Sequence, residues 1–149
     1  MTVRLTFAAL GLATVAALAG TGASAQALHP VKDSAADIAG AIFDRPTAEK
    51  KARNGHSSTD VVTFTSKDSK YQTGMYTASA SKFEVKGPKG YPDNEFMLFV
   101  KGGVTLISSD GAVTEVKTGE AVTLPKGWTG TWDTQGYTKF YVTYDPDAK

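Results

Sequence analysis

The sequence has no cysteine and only two histidines in 149 residues, His29 and His56. Lacking cysteine, the chain can form no disulfide and offers no thiolate nucleophile, so its stability must come from packing. The two histidines stand 27 positions apart in polar surroundings, where a lone imidazole is more often solvated than a ligand. Charge of one sign is missing too: 16 Lys and Arg face 15 Asp and Glu, a balance that recommends neither nucleic acid nor an anionic membrane surface as partner. There is no Gly-x-Ser-x-Gly elbow and no phosphate-binding glycine loop, so nucleophilic triads and nucleotide hydrolysis lack their parts.

The first 25 residues stand apart from the rest. Arg4 is their only charge, an apolar run from Leu5 to Ala19 follows, and Ala23-Ser24-Ala25 supplies the small residues of a cleavage site. This pattern predicts an export signal, residues 1–25, cut after Ala25, and a periplasmic or secreted protein. The apolar run falls short of the roughly 20 residues that cross a bilayer, and no cysteine near the cut offers a lipid anchor; no membrane association is expected once the signal is removed. The remaining 124 residues amount to one domain.

Residues 26–59 read as an N-terminal arm, partly helical. Ser34 is placed to cap a short helix whose Ala35, Ile38, Ala39 and Ile42 share a face, and Pro46 limits it. A second helical turn is expected from Thr47 to Arg53, ended by Asn54-Gly55. From about Asp60 the texture changes to nine short runs rich in β-branched and aromatic residues. Turn residues separate them: Gly87-Pro88-Lys89-Gly90, Lys101-Gly102-Gly103, Ser109-Asp110-Gly111, Lys117-Thr118-Gly119 and Pro125-Lys126-Gly127. Gly102-Gly103 and Asp110-Gly111 are the strongest hairpin signals. The expected fold of residues 60–149 is all-β, an antiparallel sandwich or barrel.

Two motifs narrow that choice. Glu95-Phe-Met-Leu-Phe-Val-Lys-Gly102 resembles the end of the first cupin motif, and Gly119-x5-Pro125-x-Gly127 resembles the start of the second. Tyr91-Pro-Asp-Asn-Glu95-Phe96 and the Pro-x-Gly-x-x-Gly-x-Trp run from Pro125 to Trp132 are similar to the cupin branch that includes ureidoglycine aminohydrolase and the ethanolamine-utilisation cupins. Gly74-Met75-Tyr76 and Lys82-Phe83 look like its early strands. The likeness covers roughly residues 60–144 and implies a double-stranded β-helix, or jelly-roll, barrel. A homodimer pairing through its sheets is a common cupin arrangement.

In the metal-binding form of the first motif a His-x-His precedes the glutamate; here Lys89 and Tyr91 stand at those positions. The fourth ligand, a histidine after the second motif's glycine, falls on Gly130. Only Glu95 remains, and a divalent metal wants three or four converging donors, so no metal cofactor is expected. Strand parity from Gly130 turns Trp132 inward, and from Glu95 it turns Met97 and Phe99 inward. Glu95, Tyr91 and Trp132 would then present a carboxylate, a hydroxyl and an aromatic surface over an apolar floor, with Asp93 and Tyr76 at the mouth, in the manner of a small-molecule pocket.

Three roles follow. The first is an exported binding module for a small polar or aromatic ligand. The second is a small-molecule enzyme of hydrolase or isomerase type using Glu95. It would work either with a metal held by Glu95 and further donors or without one, Glu95 then acting as general base with Tyr91 assisting. The third is a structural barrel filled by Trp132, Met97 and Phe99.

Overall fold

The computed structural model describes residues 28–148; the export signal expected over residues 1–25 lies outside them. Seven strands form one continuous antiparallel sheet: β1 (Glu49–Arg53), β2 (His56–Thr65), β3 (Tyr71–Val85), β4 (Asn94–Ser108), β5 (Val113–Lys117), β6 (Ala121–Leu124) and β7 (Gly130–Tyr144). They run in the order β1-β2-β3-β7-β4-β5, and β6 pairs with the first half of β4 on the side where β5 pairs with the second. The fold is all-β.

Three of the expected boundaries between strands do not exist. β3, β4 and β7 each join two of the nine short runs into one strand of 15 residues. Gly102-Gly103, expected to turn a hairpin, lies inside β4, where the register against β7 slips twice, between Phe99 and Lys101 and between Gly102 and Thr105. Extra residues of this kind bend a strand without ending it. At Gly102, φ is +70° and a Cβ would lie 2.1 Å from the Gly136 carbonyl oxygen, so only glycine permits this approach of the β4 and β7 backbones. Asp110-Gly111 does make the expected turn: the Gly111 N–H donates to the Ser108 carbonyl and the Ala112 N–H to the Asp110 carboxylate.

The N-terminal region departs from expectation in both of its elements: the helix expected to carry Ala35, Ile38, Ala39 and Ile42 on one face ends at Ile38, before Gly40 at φ +128°. Ser34 caps the short helix α1 (Ala35–Ile38) in a reciprocal capping box with Asp37. A single 3-10 turn follows over Ala41–Asp44 and buries Ile42 against Val61 and Met75. The helical turn expected from Thr47 to Arg53 is instead strand β1, paired residue for residue with β2 from Glu49 opposite Asp60 to Arg53 opposite His56. Asn54 and Gly55, with φ of 52° and 78°, form the two-residue link expected of a hairpin with left-handed central residues. Pairing with β2 overrides the helix-favouring composition of Glu49-Lys-Lys-Ala-Arg53, whose charges suit an exposed edge strand. The boundary drawn at residue 60 thus falls inside β2.

The main core gathers Met97, Phe99, Val104, Leu106, Val116, Leu124, Trp132, Tyr137 and Tyr141. Met97 and Phe99 point inward as strand parity predicts, and both are wholly buried.

Candidate functional site

The two sequence motifs meet in space through the backbone. The Tyr91 N–H donates to the Trp128 carbonyl and the Gly127 N–H to the Tyr91 carbonyl, both at 2.8 Å. Gly90 sits so close to Gly127 that a Cβ would lie 2.3 Å from its carbonyl oxygen. This clamp fixes the loop before β4, and the Tyr91 hydroxyl donates to Glu95 Oε2. Glu95, 6% exposed, receives a second donor at its other oxygen: Lys139 Nζ lies 2.6 Å from Oε1 and 3.2 Å from the Met97 sulfur.

Lys139 escapes the sequence reading. It is 5% exposed and stands in the middle of β7, opposite Tyr76 on β3 and Phe99 on β4. Asp60 on β2 faces Tyr76 in turn, so one row of the sheet reads Asp60, Tyr76, Lys139, Phe99. Four aromatic rings surround the lysine nitrogen, with centroids at 5.5 Å for Tyr76 and Trp132 and 5.8 Å for Tyr137 and Tyr141. Tyr141 donates to Asp60 at 2.9 Å, and Gly74 leaves room for it: a Cβ there would stand 2.5 Å from its hydroxyl.

These groups line one cavity of about 310 Å³. Tyr76, Tyr91, Asp93, Glu95 and Trp132, the five residues singled out from the sequence, all border it. Asp60, Phe83, Tyr137, Lys139 and Tyr141 join them. Phe83 stacks on Trp132 with an interplanar angle of 13°. The cavity argues against a barrel filled solid by Trp132, Met97 and Phe99.

Burial dominates the electrostatics. It pushes the Lys139 ammonium below its ordinary range, opposed by the attraction of Glu95 and Asp60. It raises the Tyr91 phenol well above its usual value, reinforced by Glu95. Tyr137 is raised by burial and by Tyr76 and Glu95, and Tyr141 by burial and Asp60. Burial also raises Asp60, with the Tyr141 hydrogen bond opposing, and raises Asp93 together with the nearby charge of Asp145. Lys139 therefore sits where burial disfavours its charged form, bonded to the Glu95 carboxylate.

The residues do not fit a metal of the kind many cupins hold. Among the described residues no three His, Cys, Asp or Glu side chains converge to hold an ion. Neither His29 nor His56 borders the cavity. Gly130 offers no side chain, and a Cβ there would stand 2.3 Å from the Ile107 carbonyl oxygen. The one carboxylate at a ligand position, Glu95, has both oxygens engaged by Lys139 and Tyr91.

An all-β antiparallel fold with a side-chain-lined cavity is consistent with a cupin barrel. The family model of the EutQ-like cupin domain matches residues 65–141, just over half of the chain, and the chain belongs to that family. No protein of curated function matches it by sequence. Among solved structures, the EutQ protein of Clostridium difficile is similar at 23% identity and a TM-score of 0.51, over 63% of this chain and 73% of that one. A Rhizobium leguminosarum protein of unknown function is similar at 21% identity and a TM-score of 0.54, over 78% and 98%. A Pseudomonas syringae protein of unknown function from the DUF861 family reaches a TM-score of 0.57 at 18% identity, over 64% and 43%. At these identities the likeness speaks for the fold.

Proposed function

We propose that this chain is an exported, single-domain cupin that binds a small polar or aromatic molecule in its barrel cavity without a tightly bound metal. One observation carries the reading: the carboxylate at the surviving metal-ligand position, Glu95, is engaged by the internal ammonium of Lys139, and the pair opens onto an aromatic-walled cavity. A built-in cation thus stands beside the glutamate. Tyr91 and Asp93 supply polar contacts at the same cavity, while Tyr76, Phe83 and Trp132 supply flat apolar faces, the usual mixture of an organic-ligand site. The signal-like residues 1–25 and the balanced charge support export and argue against a nucleic-acid partner.

A second reading, an enzyme of the same family acting through Glu95, is favoured by the chain of proton carriers from Tyr91 through Glu95 to Lys139.

The test is elemental analysis of the mature protein, purified from its native compartment without a chelating tag, beside Glu95→Gln. The expected result is no stoichiometric metal in either. Stoichiometric metal that disappears in the variant would overturn the reading. Amino-terminal sequencing of the same sample is expected to begin at Gln26, and thermal-shift screening then identifies ligand classes.

A further inference from the structure

Lys139 holds the fold together poorly for a buried ammonium. Such a group has three protons to donate, yet its partners are one carboxylate oxygen and a thioether, with aromatic faces around it. A neutral amine in the same place needs only one good partner and keeps its lone pair. A second group in the same wall is also incompletely used. The indole of Trp132, 2% exposed, borders the cavity, and its Nε1–H has no acceptor among the described residues. The centre of that indole is 5.5 Å from Lys139 Nζ. A nucleophilic nitrogen, an unspent hydrogen-bond donor and a carboxylate 2.6 Å from the nitrogen are the components that a carbonyl addition requires.

We propose that Lys139 is a nucleophile that captures a small neutral aldehyde or ketone in the cavity as an imine. This rests on reading the cavity as a ligand site. Glu95 Oε1 takes one proton from the Lys139 ammonium, and the freed amine attacks the carbonyl carbon. The C–N bond forms as the C=O π pair moves to oxygen, which accepts from the Trp132 N–H. Glu95 then returns that proton to the oxygen, leaving a carbinolamine hydroxyl, and carries a second proton from the nitrogen to the hydroxyl. The nitrogen lone pair forms the C=N bond as the C–O bond breaks and water leaves. Two of the three ammonium protons depart with the oxygen, the third stays on the iminium nitrogen, and Glu95 ends as the carboxylate facing it. Nothing is oxidised or reduced. Tyr91, bonded to the other oxygen, holds the carboxyl in place. Asp60 and Asp93 line the same cavity, so its carboxylates outnumber its one amine and anionic keto acids are disfavoured. The flat faces of Phe83 and Trp132 favour a planar, aromatic carbonyl compound.

The test uses benzaldehyde as probe, with sodium cyanoborohydride to reduce any imine, followed by intact mass and peptide mapping at neutral pH. The expected product is a single benzyl adduct on Lys139, formed at least about tenfold faster than on the exposed lysines, which have no carboxylate and indole donor arranged around a cavity beside them. Lys139→Arg keeps the charge and is expected to lose the adduct. Should that variant not fold, the map of the unaltered protein still decides. Adducts scattered over exposed lysines, with Lys139 unmodified, would overturn the proposal. Benzyl alcohol, the same shape without a carbonyl, separates the two levels in a thermal-shift assay. Stabilisation by benzyl alcohol without an adduct at Lys139 removes the imine and leaves the binding reading, and no stabilisation and no adduct remove both. Pyruvate under the same conditions is expected to label Lys139 more slowly than benzaldehyde does; equal labelling would overturn the preference for neutral carbonyls.

Discussion

The crossing of β4 and β7 at Gly102 and Gly136 and the cavity around Lys139 lie on the same two strands and are built in opposite ways. At the crossing the contacts are backbone on backbone, and Thr134 donates to the Gly103 carbonyl at 2.6 Å, so every polar group named there has a near neighbour. At the cavity, large side chains hold a carboxylate, an ammonium and several hydroxyls away from water. The Trp132 N–H is left without a partner among the described residues. Removing ions from water costs several kcal/mol each, which a close pair only partly returns. The register slips there bend β4 where it pairs with β7. The cavity is a feature that folding alone would replace with apolar residues, and that difference supports the proposed ligand site.

Substitution separates the two regions. The largest loss is expected at the crossing: Gly102→Ala places a Cβ against the Gly136 carbonyl and forces a left-handed conformation that alone costs about 1–2 kcal/mol. With the clash, urea unfolding should show a loss of about 5 kcal/mol or failure to fold. Breaking the cavity pair comes next. Lys139→Met leaves Glu95 buried beside Tyr91 alone and is expected to cost about 3–5 kcal/mol, as is Glu95→Leu. The double variant should recover most of that loss, because well-packed apolar groups replace a buried pair at little net cost. A double-mutant cycle with no coupling would mean that the pair is not desolvated, and the contrast with the crossing would fail.

The same contrast explains what could be read in advance. Turn residues and the two motifs carry the fold, since Asp110-Gly111 and Pro125-Lys126-Gly127 need particular dihedrals and say so in sequence. Glu95, Tyr91 and Trp132 were legible because one strand phase was anchored, at Gly130 for Trp132. Lys139 was not. Both faces of β7 are covered there: Tyr137, Lys139 and Tyr141 face the cavity, while Phe140 packs toward Ile42. A strand apolar in both phases hides which phase a lysine takes. The signal that would have helped is Gly136, where the inward phase of β7 shifts from Trp132 and Thr134 to Tyr137 and Lys139. The nine runs that became six strands misled for a related reason: a barrel corner and a hairpin both want glycine, and only pairing distinguishes them. β1 was hidden by residues that favour helix in isolation.

Alkaline pH sharpens the comparison further, because of the two regions compared only the cavity is lined by buried phenols and an ammonium. Tyr91, Tyr137 and Tyr141 hold their protons in the fold above the ordinary phenol value of about 10. Above that pH the unfolded chain has lost those protons and the folded chain has not, so stability falls as pH rises. Lys139 acts with the opposite sign: its lowered value makes the unfolded chain bind more protons below about 10.4, so stability rises with pH up to that point. Urea midpoints are therefore expected to be flat or rising to about pH 10 and to fall beyond it. Tyr137→Phe should shallow the alkaline fall, and Gly136→Ala, at the crossing, should leave its steepness unchanged while lowering every midpoint.

The smallest effect is expected at the mouth. Asp93 is held above the usual carboxylate range by burial and by Asp145, so its ionised form is less welcome in the fold than in the unfolded chain. Its contribution to stability is greatest below the unfolded value of about 3.9 and declines as pH rises through its folded value. Asp93→Asn removes that charge and should leave stability at pH 7 within about 0.5 kcal/mol of the parent, on the favourable side. The gain should vanish at pH 3, where the aspartate is protonated in both states. The same variant should also speed labelling of Lys139 by an anionic carbonyl probe such as pyruvate, since one of the opposing carboxylates is gone. Changed stability without changed labelling would mean that Asp93 belongs to the surface and not to the cavity.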